Sequence, residues 1–267
     1  MKQASKIASP FAGVGKSVIA FIQELGSIAI FLLHSFILIF SFPPKIRKIL
    51  DQIHFIGVKS IPVICLTGIF TGMVLGLQGY YALADIGSEG ALGAAVAVTL
   101  IKELGPVLSA IMITARAGSS MAAEIGVMRI SEQIDALDTM GINPIRFLVS
   151  PRLAASLISF PLLTAFFDII GIFGGYLIGS MLLNQNPYLY FNRVENAVDL
   201  GDVMGGFLKS IVFALIVSVI SCYQGYTTHL RADGFGARGV SNSTTSAVVT
   251  SCVLILVFDY ALTSFLR

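Results

Sequence analysis

The chain has 267 residues, of which 55% are hydrophobic and only 12% charged, with a formal net charge of +2. A soluble domain carries about twice that charged fraction, and the mean hydropathy is +0.86. These values exclude a soluble domain, and the net charge says nothing about nucleic acid because the basic residues sit at membrane edges; runs longer than the ~20 residues a helix needs to cross a bilayer point to an all-α integral membrane protein.

Residues 1–16 are polar and carry Lys2, Lys6 and Lys16. No small-residue cleavage site follows a short apolar core, so no cleaved signal peptide is expected. The fragment at 12–17, Ala-Gly-Val-Gly-Lys-Ser, resembles the end of a phosphate-binding loop. Pro10 stands where the first glycine belongs, however, and no strand precedes it, so no nucleotide site is expected. A first apolar segment at 18–43 is interrupted by Glu24 and His34 and ends at Pro43 and Pro44, before the basic cluster Lys45, Arg47 and Lys48. Further apolar segments are predicted at 55–83, 91–117, 153–183, 205–226 and 246–265. Between them lie a hairpin at 85–90, a polar stretch from 116, a polar loop at 184–204 and a loop at 229–239.

The Lys and Arg bias of short loops sets orientation. With the 116–152 side cytoplasmic, Arg116, Arg129, Arg146 and Arg152 share it with the 45–48 cluster and with Arg231 and Arg238. The opposite loops hold Arg193 and Lys209 against Glu195, Asp199 and Asp202. If 18–43 crossed the bilayer, the N-terminal lysines would lie outside. That segment is therefore read as an interfacial or re-entrant elbow helix in the inner leaflet, where Glu24 and His34 are less costly. The expected architecture is five transmembrane helices and one elbow, with the N-terminus cytoplasmic and the C-terminus on the outer side. Residues 1–50 form the tail and elbow, and 51–267 the membrane domain.

The polar stretch at 116–144 holds the pattern of a short, separately capped helix. Ser131 is placed as N-cap with Glu132 in the first turn, Gly141 suits the left-handed position after the helix, and Pro144 stops continuation. Ile134, Leu137 and Met140 recur on one face, and Glu132, Asp135 and Asp138 on another, beside Gln133. A helix of roughly nine residues is about 13 Å long and marginal alone in water, so it packs either on the protein's own surface or in a partner's groove. Gly68, Gly72 and Gly76, and likewise Gly171, Gly175 and Gly179, repeat every four residues. Such ladders let helices approach closely in lipid, within one subunit for one ladder and at a homodimer seam for the other.

Lys102 and Glu103, followed by Leu104, Gly105 and Pro106, lie inside an apolar run. Intramembrane charges face a cavity or one another, and Gly105-Pro106 is expected to break the helical ladder. The residues fit a substrate cavity or hinge, or a structural ion pair at a kink. Asp168 and Asp259 are further intramembrane acids, Asp259 close enough to the outer end to meet water. Arg116 and Glu124 are expected to share a helix face and lock the cytoplasmic elbow. The cysteines Cys65, Cys222 and Cys252 fall in apolar runs without CxxC spacing and read as buried hydrophobes. His34, His54 and His229 are scattered, and no catalytic set or metal-ligand spacing is seen.

The motifs Glu103-Leu-Gly-Pro106, Ala115-Arg-Ala-Gly-Ser119, Ala123-Glu-Ile-Gly-Val-Met-Arg129 and Glu132-Gln133 through Asn143-Pro144 resemble the signature of the MlaE (YrbE) family of ABC-transporter permeases. So do Ser150-Pro-Arg152, Leu208-Lys-Ser210, Ser221-Cys-Tyr-Gln-Gly225, Gly236-Ala-Arg-Gly-Val240, Thr244-Thr245 and Asp259-Tyr-Ala-Leu-Thr263. The resemblance covers about 55–265. It implies a homodimeric inner-membrane permease without its own nucleotide site or cofactor. It further implies two copies of a cytoplasmic ABC ATPase that bind ATP and Mg, and an outward-facing MCE-domain lipid-binding protein on the dimer. The implied substrate is phospholipid, moved between the inner membrane and another envelope layer. It also implies that 132–141 is the coupling helix entering a groove on the ATPase. Leu75, Leu83 and Ile86, with Lys102, Glu103, Leu104, Gly105 and Pro106, are implied to line the lipid cavity. The family more usually has arginine where Lys102 stands, and lysine lacks the bidentate fork. An alternative of another class is an ion-coupled secondary transporter using Lys102, Glu103 and Asp168. It calls for an internal repeat with paired broken helices, and none is visible.

Overall fold

Eleven α-helices make up the described part of the computed structural model, which covers residues 19, 22–23, 26–38, 46–182, 186–230 and 236–265. Glu24, Lys45 and Arg231, which entered the topology reading, lie outside these residues. Among the described residues there is no strand. The helices are α1 (Gly26–Leu38), α2 (Ile46–Ile56), α3 (Ile61–Ala84), α4 (Leu92–Thr99), α5 (Gly105–Ile113), α6 (Ser119–Ile130), α7 (Gln133–Thr139), α8 (Ser150–Tyr176), α9 (Pro187–Ala197), α10 (Leu200–Tyr226) and α11 (Gly236–Phe265).

They combine into five helices long and apolar enough to cross a membrane: Ile46–Ala84, Glu89–Ile130, Ile145–Met181, Leu200–Tyr226 and Gly236–Phe265. The all-α, five-span architecture agrees with the sequence reading, but most spans are longer than their apolar runs. The second is 42 residues long. The stretch read as polar from Arg116 onward is a continuation of this helix through α6, because Met121, Ala122, Ile125 and Gly126 keep a buried face under polar neighbours.

Wide π turns at Leu100–Leu104, Thr114–Gly118 and Ile145–Val149 join the α-helical pieces. The first corrects the expectation of a broken ladder at Gly105-Pro106. The Gly105 amide donates to Leu100 O, closing a five-residue turn, and Pro106 follows with the helix unbroken, while Lys102 O accepts from Lys209 Nζ at 2.9 Å.

α3 lies along α8, and the two glycine ladders face each other. A Cβ at Gly72 would come 1.8 Å from Gly171 O, and one at Gly76 would come 3.0 Å from the Gly175 Cα. Both ladders are therefore consumed inside one subunit, and neither is left as a homodimer seam. A continuous core of Ile64, Leu92, Leu100, Phe160, Phe167 and Phe213 joins α3, α4, α8 and α10.

Among the described residues α1 is 13 residues long, about 20 Å. It sits at the α7 end of the bundle, with Phe31 against the rings of Tyr223 and Tyr226 (centroids 5.7 and 5.9 Å) and Ser35 O accepting from Ser150 Oγ. At the opposite end, the loop read as polar at 184–204 contains α9. Asn186 caps it by accepting from the Tyr188 amide at 2.9 Å, with Pro187 in the first turn. α9 lies against α4, where a Cβ at Gly93 would come 2.4 Å from Tyr190 O.

Candidate functional site

Two polar centres interrupt this apolar bundle, one near each end. At the end opposite α7, the π turn presents Lys102 and Glu103 in different directions, as consecutive helical residues must. Lys102 Nζ pairs with Asp202 of α10 at 2.8 Å, and its side chain is 46% exposed. Glu103 Oε2 accepts from Lys209 of α10, whose side chain is only 3% exposed. Lys209 Nζ also donates to Thr263 Oγ1 at 2.7 Å and to Lys102 O at 2.9 Å, and lies 3.1 Å from Asp259 Oδ1. Thr263 passes a hydrogen bond on to Glu103. A buried ammonium with three protons thus meets four oxygens, which offsets the cost of removing it from water. The cluster ties the second, fourth and fifth spans together.

This placement corrects two expectations. Lys209 is no loop residue but the buried centre of the network, and Asp259 faces it rather than water. Asp168 does not join the cluster. Its carboxyl packs where a Gly105 side chain would be, and its Oδ1 is buried without a hydrogen-bond partner, so no Lys102–Glu103–Asp168 relay forms. A cavity of about 220 Å³ lies alongside, lined by Ile101, Thr164, Asp168, Ile172, Val203 and Phe207. Of the residues implied to line a lipid cavity, Leu75, Leu83 and Leu104 pack on the core, Gly105 and Pro106 are buried in α5, and Ile86 is exposed in the turn after α3.

At the other end, α7 hangs from the bundle by few contacts. Ile134 is fully buried among Ile125, Leu148, Val149 and Leu153, and Leu137 packs on the same cluster. Asp135 pairs with Arg129 at 2.7 Å. Glu132, Gln133, Asp138, Met140 and Gly141 are exposed, Met140 at 64%.

The caps differ from the expectation at the start and match it at the end. Ser131 is not the N-cap. Its hydroxyl donates back to Val127 O, closing α6, and Glu132 takes the cap position with φ 57°. The helix has seven residues rather than nine. At its other end Gly141 (φ 71°) donates to Asp138 O while the Ile142 amide donates to Leu137 O, both at 2.9 Å, which is a Schellman motif.

Arg116 and Glu124 do not pair. The π turn at Thr114–Gly118 rotates the helix between them, so Arg116 donates to Phe55 O and Ser60 Oγ, while Glu124 accepts from buried Arg152 at 2.8 Å.

Sequence reasoning missed Lys209, Thr263, Asp202 and the Arg129–His229 contact. A lysine nine residues inside α10 was the available signal for the first. Arg129 Nε donates to His229 Nδ1 at 2.9 Å. Partial burial, and then the Arg129 charge, hold the His229 pKa below its ordinary value.

Comparison with known proteins follows the same outline. The chain is 43% identical to a probable ABC transporter permease protein of Rickettsia typhi, over 95% of this chain and 96% of that protein. It is 37% identical to the intermembrane phospholipid transport system permease protein MlaE of Haemophilus influenzae, over 97% of each. It is 36% identical to the chloroplastic protein TRIGALACTOSYLDIACYLGLYCEROL 1 of Arabidopsis thaliana, over 82% of this chain and 61% of that protein. The family described as Permease MlaE matches residues 49–265. On that match and on these identities, the chain belongs to the MlaE permease family.

Proposed function

We propose that this chain is the transmembrane permease subunit of an ATP-driven phospholipid transporter, moving lipid between the inner membrane and another envelope layer. Family membership and the full-length likeness to an intermembrane phospholipid transport permease support this reading. ATP and Mg bind a separate cytoplasmic ABC ATPase, present in two copies on a homodimer of this chain. An MCE-domain lipid-binding protein takes the outer side. Residues 51–267 form the permease domain, and 1–50 the tail and elbow. The α7 end faces the cytoplasm, with Arg47, Lys48, Arg129, Arg146 and Arg152 gathered there, and the C-terminus lies outside.

One observation carries the coupling assignment. α7 is anchored by Ile134, Leu137 and one ion pair, while the rest of its surface, Met140 included, is open. The exposed Glu132, Gln133, Asp138, Met140 and Gly141 would enter the ATPase groove. At the opposite end, partly exposed Lys102 would meet the lipid headgroup by exchanging Asp202 for phosphate, while Lys209 holds Glu103 in place.

The test is a detergent pull-down of this chain from its cellular membranes, with ATPase activity measured in the eluate. Asp135 is unsuitable for charge reversal because it pairs within the chain, so Asp138→Lys and Met140→Glu are the probes. Wild type is expected to bring down an ATPase and the double variant to lose it. Recovery of no ATPase by wild type under mild conditions would overturn the reading of α7 as the docking helix.

A further inference from the structure

The guanidinium of Arg129 is divided among three elements. Arg129 stands in the last turn of α6. Its Nη1 donates to Asp135 of α7 at 2.7 Å. Its Nε donates to Nδ1 of His229, in the turn Thr228–Leu230 that follows α10, and Nη2 lies 3.1 Å from Nε2 of the same ring. Its plane also rests 5.4 Å from the ring centre of Tyr226, the last residue of α10. A neutral imidazole has one acceptor nitrogen and the guanidinium only donates, so Arg129 makes one hydrogen bond to this ring, and the other nitrogen carries the proton. The Arg129 side chain is 15% exposed and that of Asp135 55% exposed, so the arginine is the fixed member and α7 is held to it.

We propose that Arg129 is a positioning residue that makes α7 and the end of α10 move as one body. Displacement of α7 by its partner then reaches the far end of α10, where Lys209 holds Glu103 and Asp259. This rests on the reading of α7 as the ATPase-docking helix. The fork presents separate donors to the two elements, Nη1 to Asp135 and Nε to His229. A lysine ammonium at this position keeps the charge but has neither the separated donors nor the flat face that rests on Tyr226.

The experiment uses the complex purified with its ATPase and reconstituted in vesicles of phosphatidylethanolamine and phosphatidylglycerol containing a fluorescent phospholipid. Arg129→Lys, Arg129→Gln and His229→Ala are compared with wild type for ATPase captured, ATP hydrolysed and lipid moved per ATP. The expected result is capture within about twofold of wild type and lipid moved per ATP lowered about tenfold. Arg129→Lys should fail to rescue, and His229→Ala should reproduce the loss from a site that is not buried in the bundle. Wild-type lipid transfer per ATP in Arg129→Lys would overturn the proposal, since charge alone would then suffice. A parallel fall of hydrolysis and transfer in all three variants, with lowered thermal stability, would overturn it too, as a purely structural role. If wild type itself captures no ATPase, the docking reading fails first, and that outcome is distinct from both.

Discussion

Lys209 shows how a single residue can be visible in a sequence and still unreadable. A lysine inside an apolar helix marks itself as costly, but its partners Glu103 and Asp259 lie far away in the chain, and nothing local selects them. Lys102 and Glu103 were legible as an intramembrane charged pair, yet each is satisfied by α10 rather than by the other. Replacing Lys209 with methionine would leave Glu103 and Asp259 without their cation in a place where desolvation is severe. The expected loss is about 3–5 kcal/mol, seen as a lowered midpoint of thermal unfolding in detergent. Lys102→Met removes a pair that is half open to solvent, and the expected loss is under about 1 kcal/mol in the same assay.

At the scale of an element, α7 was the best-read feature of the chain, and its errors are instructive. Gly141 and the run to Pro144 signalled its end, and the Schellman bonds follow from that glycine. Gly141→Ala forces a side chain into the left-handed region at φ 71° and is expected to cost about 1–2 kcal/mol locally. Faster amide exchange at Gly141 and Ile142 would register it. The start was misread because Ser131 serves the preceding helix, and a residue shared between two helices has no local mark of which one it closes.

α7 is also expected to respond to acid. The His229 pKa lies below its unfolded value, so folding favours the neutral ring. The stability that this contributes is complete above the unfolded pKa near 6.5. It is lost as pH falls below that value, when His229 gains a proton beside Arg129. Asp135 faces the pair from α7 and opposes this repulsion, as does the hydrogen bond from His229 to the Tyr226 backbone. Protection factors of residues 133–139, with the slower intrinsic exchange at low pH divided out, should therefore fall between pH 7.5 and pH 5.5, and His229→Gln should remove that fall.

Across the whole molecule, the α3–α8 contact organises the bundle. It is built from backbone meeting backbone, which a membrane permits only where side chains are absent. Gly72→Ala would press a methyl group onto Gly171 O, and backbone cannot move aside as a flexible side chain does. The expected loss is about 3 kcal/mol, at the upper end for an overpacked site, measured as thermal stability in detergent. Gly201→Ala in α10 meets nothing within 4 Å and should be neutral or slightly stabilising.

Apolar run length, loop charge and capping residues by themselves determined that this chain is an all-α membrane protein with five spans and a short helix in the polar stretch after the second. Those properties depend on residues near one another in the chain, so they can be read along it. Only the tertiary structure decided that the two glycine ladders answer each other, that Lys209 is buried while Lys102 is half exposed, and that Arg129 joins α7 to α10. Each of these rests on a pairing between residues about a hundred positions apart. Helical periodicity gives the face on which a residue lies, but a π turn shifts that face, and packing alone chooses what it meets.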